Sequence, residues 1–90
     1  MVTVYILLCS DRSYYTGMSA NLQRRLNQHN AGSCSYTRSR LPVIPVYTYL
    51  MANYKHARWL EKKIKHMGAG RWLRLNNSLF ANNILYVKNF

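Results

Sequence analysis

Residues 4–32 read VYILLCSDRSYYTGMSANLQRRLNQHNAG, running from two apolar, tyrosine-bearing segments into a helix that sets an arginine and a histidine among its leucines. TVYILLC (3–9) is β-branched and aromatic enough for a strand, and Asp11-Arg12-Ser13 is a polar turn before a second short strand, Tyr14 to Gly17. Together they predict a β-hairpin. Ser19 is the expected N-cap of a helix from Ala20 to Asn30, with Gly32 as its stop.

Working outward, GSCSYTRSRLPVIP (32–45) reads as a loop punctuated by Pro42 and Pro45. Residues 46–53, VYTYLMAN, supply a third strand for the hairpin sheet. A second helix is expected over Tyr54–Met67, ending at Gly68 and Gly70. Beyond it lie a short helix, RWLRLNN (71–77), and an apolar segment, ILYVK (84–88). The fold class is α/β (α+β), a small three-stranded antiparallel sheet flanked by helices. No repeat or linker divides the 90 residues, which predict a single domain, 1–90.

Composition narrows the chemistry. Hydrophobic residues at 49% and eight tyrosines argue against a disordered basic tail. Thirteen Lys and Arg face two carboxylates, Asp11 and Glu61, for a formal charge of +11, so the natural partner is a polyanion held by salt-sensitive phosphate contacts. No apolar run is long enough to span a bilayer, and the opening VTVYILLC lacks the basic region and cleavage site of a secretory signal. Cys9 and Cys34 show no pairing pattern and read as free thiols in a reducing cytosol. The expected location is cytoplasmic, nucleoid-associated or, in a eukaryotic host, nuclear. His29, His56 and His66 stand ten or more residues apart, without CxxC or HxxxH, which excludes structural zinc. Two carboxylates in total also exclude a carboxylate-bridged two-metal centre.

The helices carry the polar chemistry inward. At helical spacing Leu22, Arg25, Leu26 and His29 share one stripe while Arg24 faces the other way. Arg24 is the ordinary solvated arginine. Arg25 and His29 flank the leucines, where a polar pair needs partners or a cleft. In the second helix Ala57, Leu60, Glu61 and Ile64 share a stripe, so the only glutamate also faces inward, with Lys65 at i+4 or Arg25 as its expected ion partner. With Tyr5 and Tyr15 on the neighbouring hairpin strands, the set comprises phenols, a guanidinium, an imidazole and one carboxylate. That set suits a phosphodiester: the carboxylate holds a divalent cation, the arginine neutralises phosphate, and a phenol or imidazole handles the proton of the attacking water.

At these residues the chain resembles the GIY-YIG nuclease superfamily. The half-motifs stand as Thr3-Val4-Tyr5 and Tyr15-Thr16-Gly17, followed by NLQRRLNQH (21–29), YTRSRLP (36–42) and AxxxExxIK (57–65). The resemblance covers residues 2–66 and is strongest to the small standalone branch, similar to the nuclease domains of the bacterial excision-repair incision protein and of eukaryotic structure-specific endonucleases. Residues 67–90 form a C-terminal extension that matches no pattern. The resemblance implies a DNA endonuclease of repair, recombination or processing, using one Mg²⁺ or Mn²⁺. It implies Tyr5 as general base or its water-positioning partner, and Tyr15 as orienting the phosphate or water. Arg25 would stabilise the pentacovalent phosphate, His29 would assist proton transfer, and Glu61 would be the sole protein ligand of the metal. Arg38, Arg40 and Lys65 are the expected backbone contacts to DNA, single-stranded or branched forms included; no haem, nucleotide cofactor or membrane is expected. Thr3 and Thr16 depart from the half-motifs, Met18 stands where the repair enzymes have lysine, and Asn76 and Asn77 are candidates for the asparagine some members carry. The competing reading is a catalytically silent basic module binding DNA or RNA, in which charge and exposed tyrosines do all the work.

Overall fold

The computed structural model describes residues 1–81. In order, these form β1 (Val2–Leu8), β2 (Tyr14–Ser19), α1 (Leu22–Asn30), β3 (Ile44–Met51), α2 (Tyr54–Met67) and α3 (Ala69–Ala81). The three strands make one antiparallel sheet in the order β2-β1-β3. β1 is thus central, which matches its nearly continuous burial.

The hairpin turn closes through Cys9 N–H to Ser13 O at 2.9 Å, with Arg12 at φ 71° and the Asp11 carboxylate accepting from the Ser13 amide. The α1 N-cap is Asn21, whose side chain accepts from the Arg24 amide at 3.1 Å, and not the expected Ser19. Ser19 remains in β2 opposite Thr3, and its hydroxyl instead braces the backbone of Asn21. β3 begins two residues earlier than predicted and includes Pro45. An edge strand tolerates the lost donor, and the register shift between Ile6 and Leu7 places a bulge there. Gly68, at φ 95°, ends α2. Gly70, read from sequence as part of the stop, lies inside the first turn of α3 against the Tyr14 ring, so this helix is longer than the expected 71–77. The ILYVK segment lies outside the described residues.

Side-chain alternation along β1 divides the core in two. Val2, Val4 and Ile6 pack with Tyr47 and with Ala57, Leu60 and Ile64 of α2 and Leu73 of α3. Tyr5, Leu7 and Cys9 face the other way, against Val43 and the α1 residues Leu22 and Leu26. α1 and α2 therefore cover opposite faces of the sheet. Of the two expected ion partners of Glu61, Lys65 is the one it meets; a helical stripe fixes which side of a helix points to the sheet, and not to which of the sheet's faces.

Candidate active site

Tyr5 and Tyr15 lie on the α1 face of adjacent strands. The register pairs Tyr5 with Gly17 and Leu7 with Tyr15, so the two tyrosines are diagonal neighbours with ring centroids 6.3 Å apart. Gly17 matters because it is bare. A Cβ there would sit 2.6 Å from the Tyr5 hydroxyl oxygen and 3.0 Å from the Tyr15 ring. The glycine of the second half-motif is the floor on which the tyrosine of the first one lies.

Above that floor α1 delivers His29, fully buried. Its Nε2 meets the Tyr5 hydroxyl at 3.2 Å and its Nδ1 meets the Thr37 hydroxyl at 2.8 Å. Burial first, and then the nearby Arg25 charge, lower the His29 pKa. The imidazole is thus held neutral, and a consistent arrangement has Tyr5 O–H donating to Nε2 and Nδ1–H donating to Thr37. The Tyr15 ring packs edge-on to the imidazole at 4.9 Å, and the Tyr36 ring lies tilted against Tyr15 at 5.6 Å.

Arg25, half-buried one turn before His29, points its guanidinium at both phenols; the hydrogen bond with Tyr5 is the largest influence raising its pKa above the ordinary arginine value. Its Nη1 donates to Gln28 at 3.0 Å. Arg24 is exposed, as its phase on the helix predicts. Burial pushes the Tyr5 phenol up to about 12, outweighing the Arg25 hydrogen bond, and also raises Tyr15. Without a further cation these are phenols at neutral pH.

Glu61 stands on α2. Its side chain is only 17% exposed and pairs with Lys65 Nζ at 3.7 Å. Tyr54, Glu61 and Lys65 share one helical stripe by their i, i+7, i+11 spacing. At one end Tyr54 lines a cavity of about 240 Å³ with Arg24, Arg25 and Gln28. At the other, Lys65 lines one of about 360 Å³ with Tyr14, Tyr15, Thr16 and Tyr36. Along α2, Glu61 lies between these two cavity-lining residues.

Among the described residues no group of three or more His, Cys, Asp and Glu could hold a metal by itself. The other carboxylate, Asp11, is committed to Arg40 at 3.0 Å in the hairpin turn. A single carboxylate suits a hard divalent ion of the Mg²⁺ or Mn²⁺ type, which keeps waters and takes substrate phosphates as further ligands. The donor set is too poor for a protein-only cage.

The two loop arginines separate. Arg40 is tied to Asp11, donates to the Tyr36 carbonyl at 2.6 Å and sits 4.2 Å over the Tyr36 ring, so it braces the loop that carries Thr37. Arg38 is exposed and has no ion-pair partner among the described residues. Asn76 donates back to the Trp72 carbonyl within α3. Thr37 and Tyr36 escaped the reading of inward-facing helix residues because they lie on a loop; the YTRSRLP motif was their only signal. Cys34 escaped too. It lies near Tyr15, and although burial alone would raise its thiol, hydrogen bonds with Thr37, Tyr36 and Tyr15 leave it lowered.

The model of the GIY-YIG catalytic domain matches residues 1–69. Among similar proteins, UPF0213 protein CPE1444 of Clostridium perfringens is 42% identical over 86 residues, covering 94% of this chain and 92% of the relative. A UPF0213 protein of Syntrophus aciditrophicus is 39% identical over 74 residues, covering 80% and 85%. The solution NMR structure of the UPF0213 protein BH0048 from Bacillus halodurans superposes with a TM-score of 0.54 at 34% identity, covering 86% of this chain and 84% of that one. With tyrosines, glycine, arginine and glutamate in the positions described above, the chain belongs to the GIY-YIG nuclease family.

Proposed function

We propose that this protein is a DNA endonuclease that hydrolyses phosphodiester bonds with one divalent ion, Mg²⁺ or Mn²⁺, held by Glu61. The observation that carries the reading is the Tyr5–His29 hydrogen bond beside Arg25 and Tyr15. A silent binding module has no use for a buried imidazole kept neutral against a phenol.

In this reading the scissile phosphate lies between Arg25 and the Tyr15 phenol, with Arg25 neutralising charge that builds on the phosphoryl oxygens. The attacking water gives its proton to the Tyr5 oxygen as the Tyr5 proton passes to His29 Nε2. The hydroxide oxygen then bonds to phosphorus as the P–O ester bond breaks, and the departing oxygen takes a proton from solvent while His29 later returns its own to solvent. Thr37 keeps Nδ1 occupied, so Nε2 is the nitrogen free to accept. Such a relay needs no free phenolate, which suits a Tyr5 pKa pushed to about 12. When bound, the divalent ion supplies charge neutralisation at phosphate and acidifies water. Arg38 and Lys65 contact the DNA backbone, Lys65 releasing Glu61 as it does so, while Arg40 acts through its loop. The setting is DNA repair, recombination or processing, in the compartment that holds the DNA.

The test is a panel of end-labelled DNA and RNA substrates, single-stranded, duplex and flapped, incubated with Mg²⁺, Mn²⁺ or EDTA. Metal-dependent internal cuts in DNA are expected. Binding without cutting in any metal would transfer the chain to the silent-module reading.

A further inference from the structure

The charge of this molecule is not concentrated in its cleft. α2 alone carries Lys55, Arg58, Lys62, Lys63 and Lys65, with His56 and His66, against the single acid Glu61. The helix turns Ala57, Leu60 and Ile64 to the sheet, and all five cations are exposed. In the middle of this basic surface stands Trp59, 59% exposed, with the Lys63 ammonium 5.2 Å from its ring centroid. An indole left in water costs hydrophobic free energy, and nothing in the cleft chemistry asks for it. Trp59 also lines an open, mostly apolar groove of about 370 Å³ with Lys62, Lys63, His66 and Met67.

Resting on the DNA reading above, we infer that this groove is a second DNA contact, in which an unpaired base of a single strand stacks on Trp59 while Lys62 and Lys63 hold its flanking phosphates. The charge pattern selects a polyanion, and the bare indole face selects an unstacked base, which a continuous duplex does not offer. The groove supplies apolar walls for the base, and its rim supplies cations. Lys65, which lines the cleft with Tyr15, stands six residues beyond Trp59 on the same helix, about 9 Å of rise. A strand gripped at Trp59 therefore reaches the cleft within a few nucleotides. The substrate class that follows is single-stranded DNA, or the single-stranded arm of a branched one.

The experiment follows intrinsic tryptophan emission of the full chain in EDTA during titration with oligothymidylate, a blunt duplex of the same length and a single-stranded RNA. Quenching by oligothymidylate is expected in the parent and not in Trp59→Phe, because Trp72 packs against Tyr47. Trp59→Ala should weaken single-strand affinity roughly 5- to 100-fold and leave duplex affinity nearly unchanged. Lys62→Gln and Lys63→Gln should each flatten the salt dependence by about one released counterion. Equal quenching by the blunt duplex, equal affinity of Trp59→Ala and parent, a preference for RNA, or a change of oligomeric state in Trp59→Ala would each overturn the inference. A protein that cuts DNA with Mn²⁺ but shows no quenching removes this site and leaves the nuclease. Quenching without cutting removes the nuclease and leaves this site.

Discussion

The Tyr5 ring lies across Gly17 so closely that a methyl group on Gly17 would overlap the phenol, 2.6 Å from its oxygen and 2.8 Å from the carbon bearing it. Tyr5 is 1% exposed and its hydroxyl is held by His29, so the ring has nowhere to retreat. Gly17→Ala should cost about 1–3 kcal/mol of stability, the scale of overpacking a core, and should break the Tyr5–His29 contact. Thermal unfolding and a cleavage assay on the folded fraction measure the two effects. A variant with parent stability and parent cutting would show that the floor is not required.

The proton relay predicts a particular pH profile. Single-turnover cleavage should rise with pH until His29 is neutral, below its ordinary value of 6.5, and level off above it. Tyr5→Phe should fold and bind DNA, yet cut on the order of 10² to 10⁴ more slowly, the range for losing a general acid–base group. A parent rate that keeps climbing beyond pH 9, toward the raised Tyr5 value of about 12, would place the phenolate in charge instead.

His29 also links pH to stability. Burial, followed by the Arg25 charge, favours its neutral form in the fold, so the unfolded chain binds the extra proton more readily. Its contribution is complete above about 6.5 and is lost as pH falls through the lower folded value. The melting temperature should therefore drop between pH 7 and pH 5, and His29→Gln should flatten that drop. Asp11 is also lowered, from 3.8, chiefly by its hydrogen bonds with Ser13, and lies outside this window. An unchanged slope in the variant would show that His29 is not the group responsible.

Arg24 and Arg25 are neighbours in sequence and line one cavity, yet Arg24 is exposed and Arg25 is half-buried against the phenols. Arg25→Ala should lower turnover on the order of 10² or more, the scale for one lost transition-state charge donor. Arg24→Ala should act on binding and its salt dependence. Equal losses of single-turnover rate would contradict the separation of their roles.

Much of this site is legible in the sequence because it follows from period. Arg25 and His29 are separated from Arg24 by helical phase, and Tyr5 and Tyr15 reach one sheet face through strand alternation and hairpin register. The relation between α1 and α2 is not legible that way. Which face of a sheet a helix covers depends on the path of residues 32–43, a long-range property that no local spacing encodes. Thr37 shows the same limit: a buried threonine in a loop has no periodic signature, and its bond to His29 appears only once the loop is folded over α1. Gly68 and Gly70 look alike in sequence, yet one ends α2 at positive φ and the other sits within α3 against Tyr14.

In the proposed mechanism Glu61 alone among protein groups holds the metal for a cut made by the Tyr5–His29–Arg25 cluster. The most direct measurement pairs calorimetric Mn²⁺ titration with single-turnover cleavage of single-stranded DNA by the parent and by Glu61→Gln. The variant is expected to lose Mn²⁺ binding and cleavage while holding DNA as well as the parent or slightly better, since a negative charge has left a phosphate site. Undiminished cutting by Glu61→Gln would contradict the one-ion account.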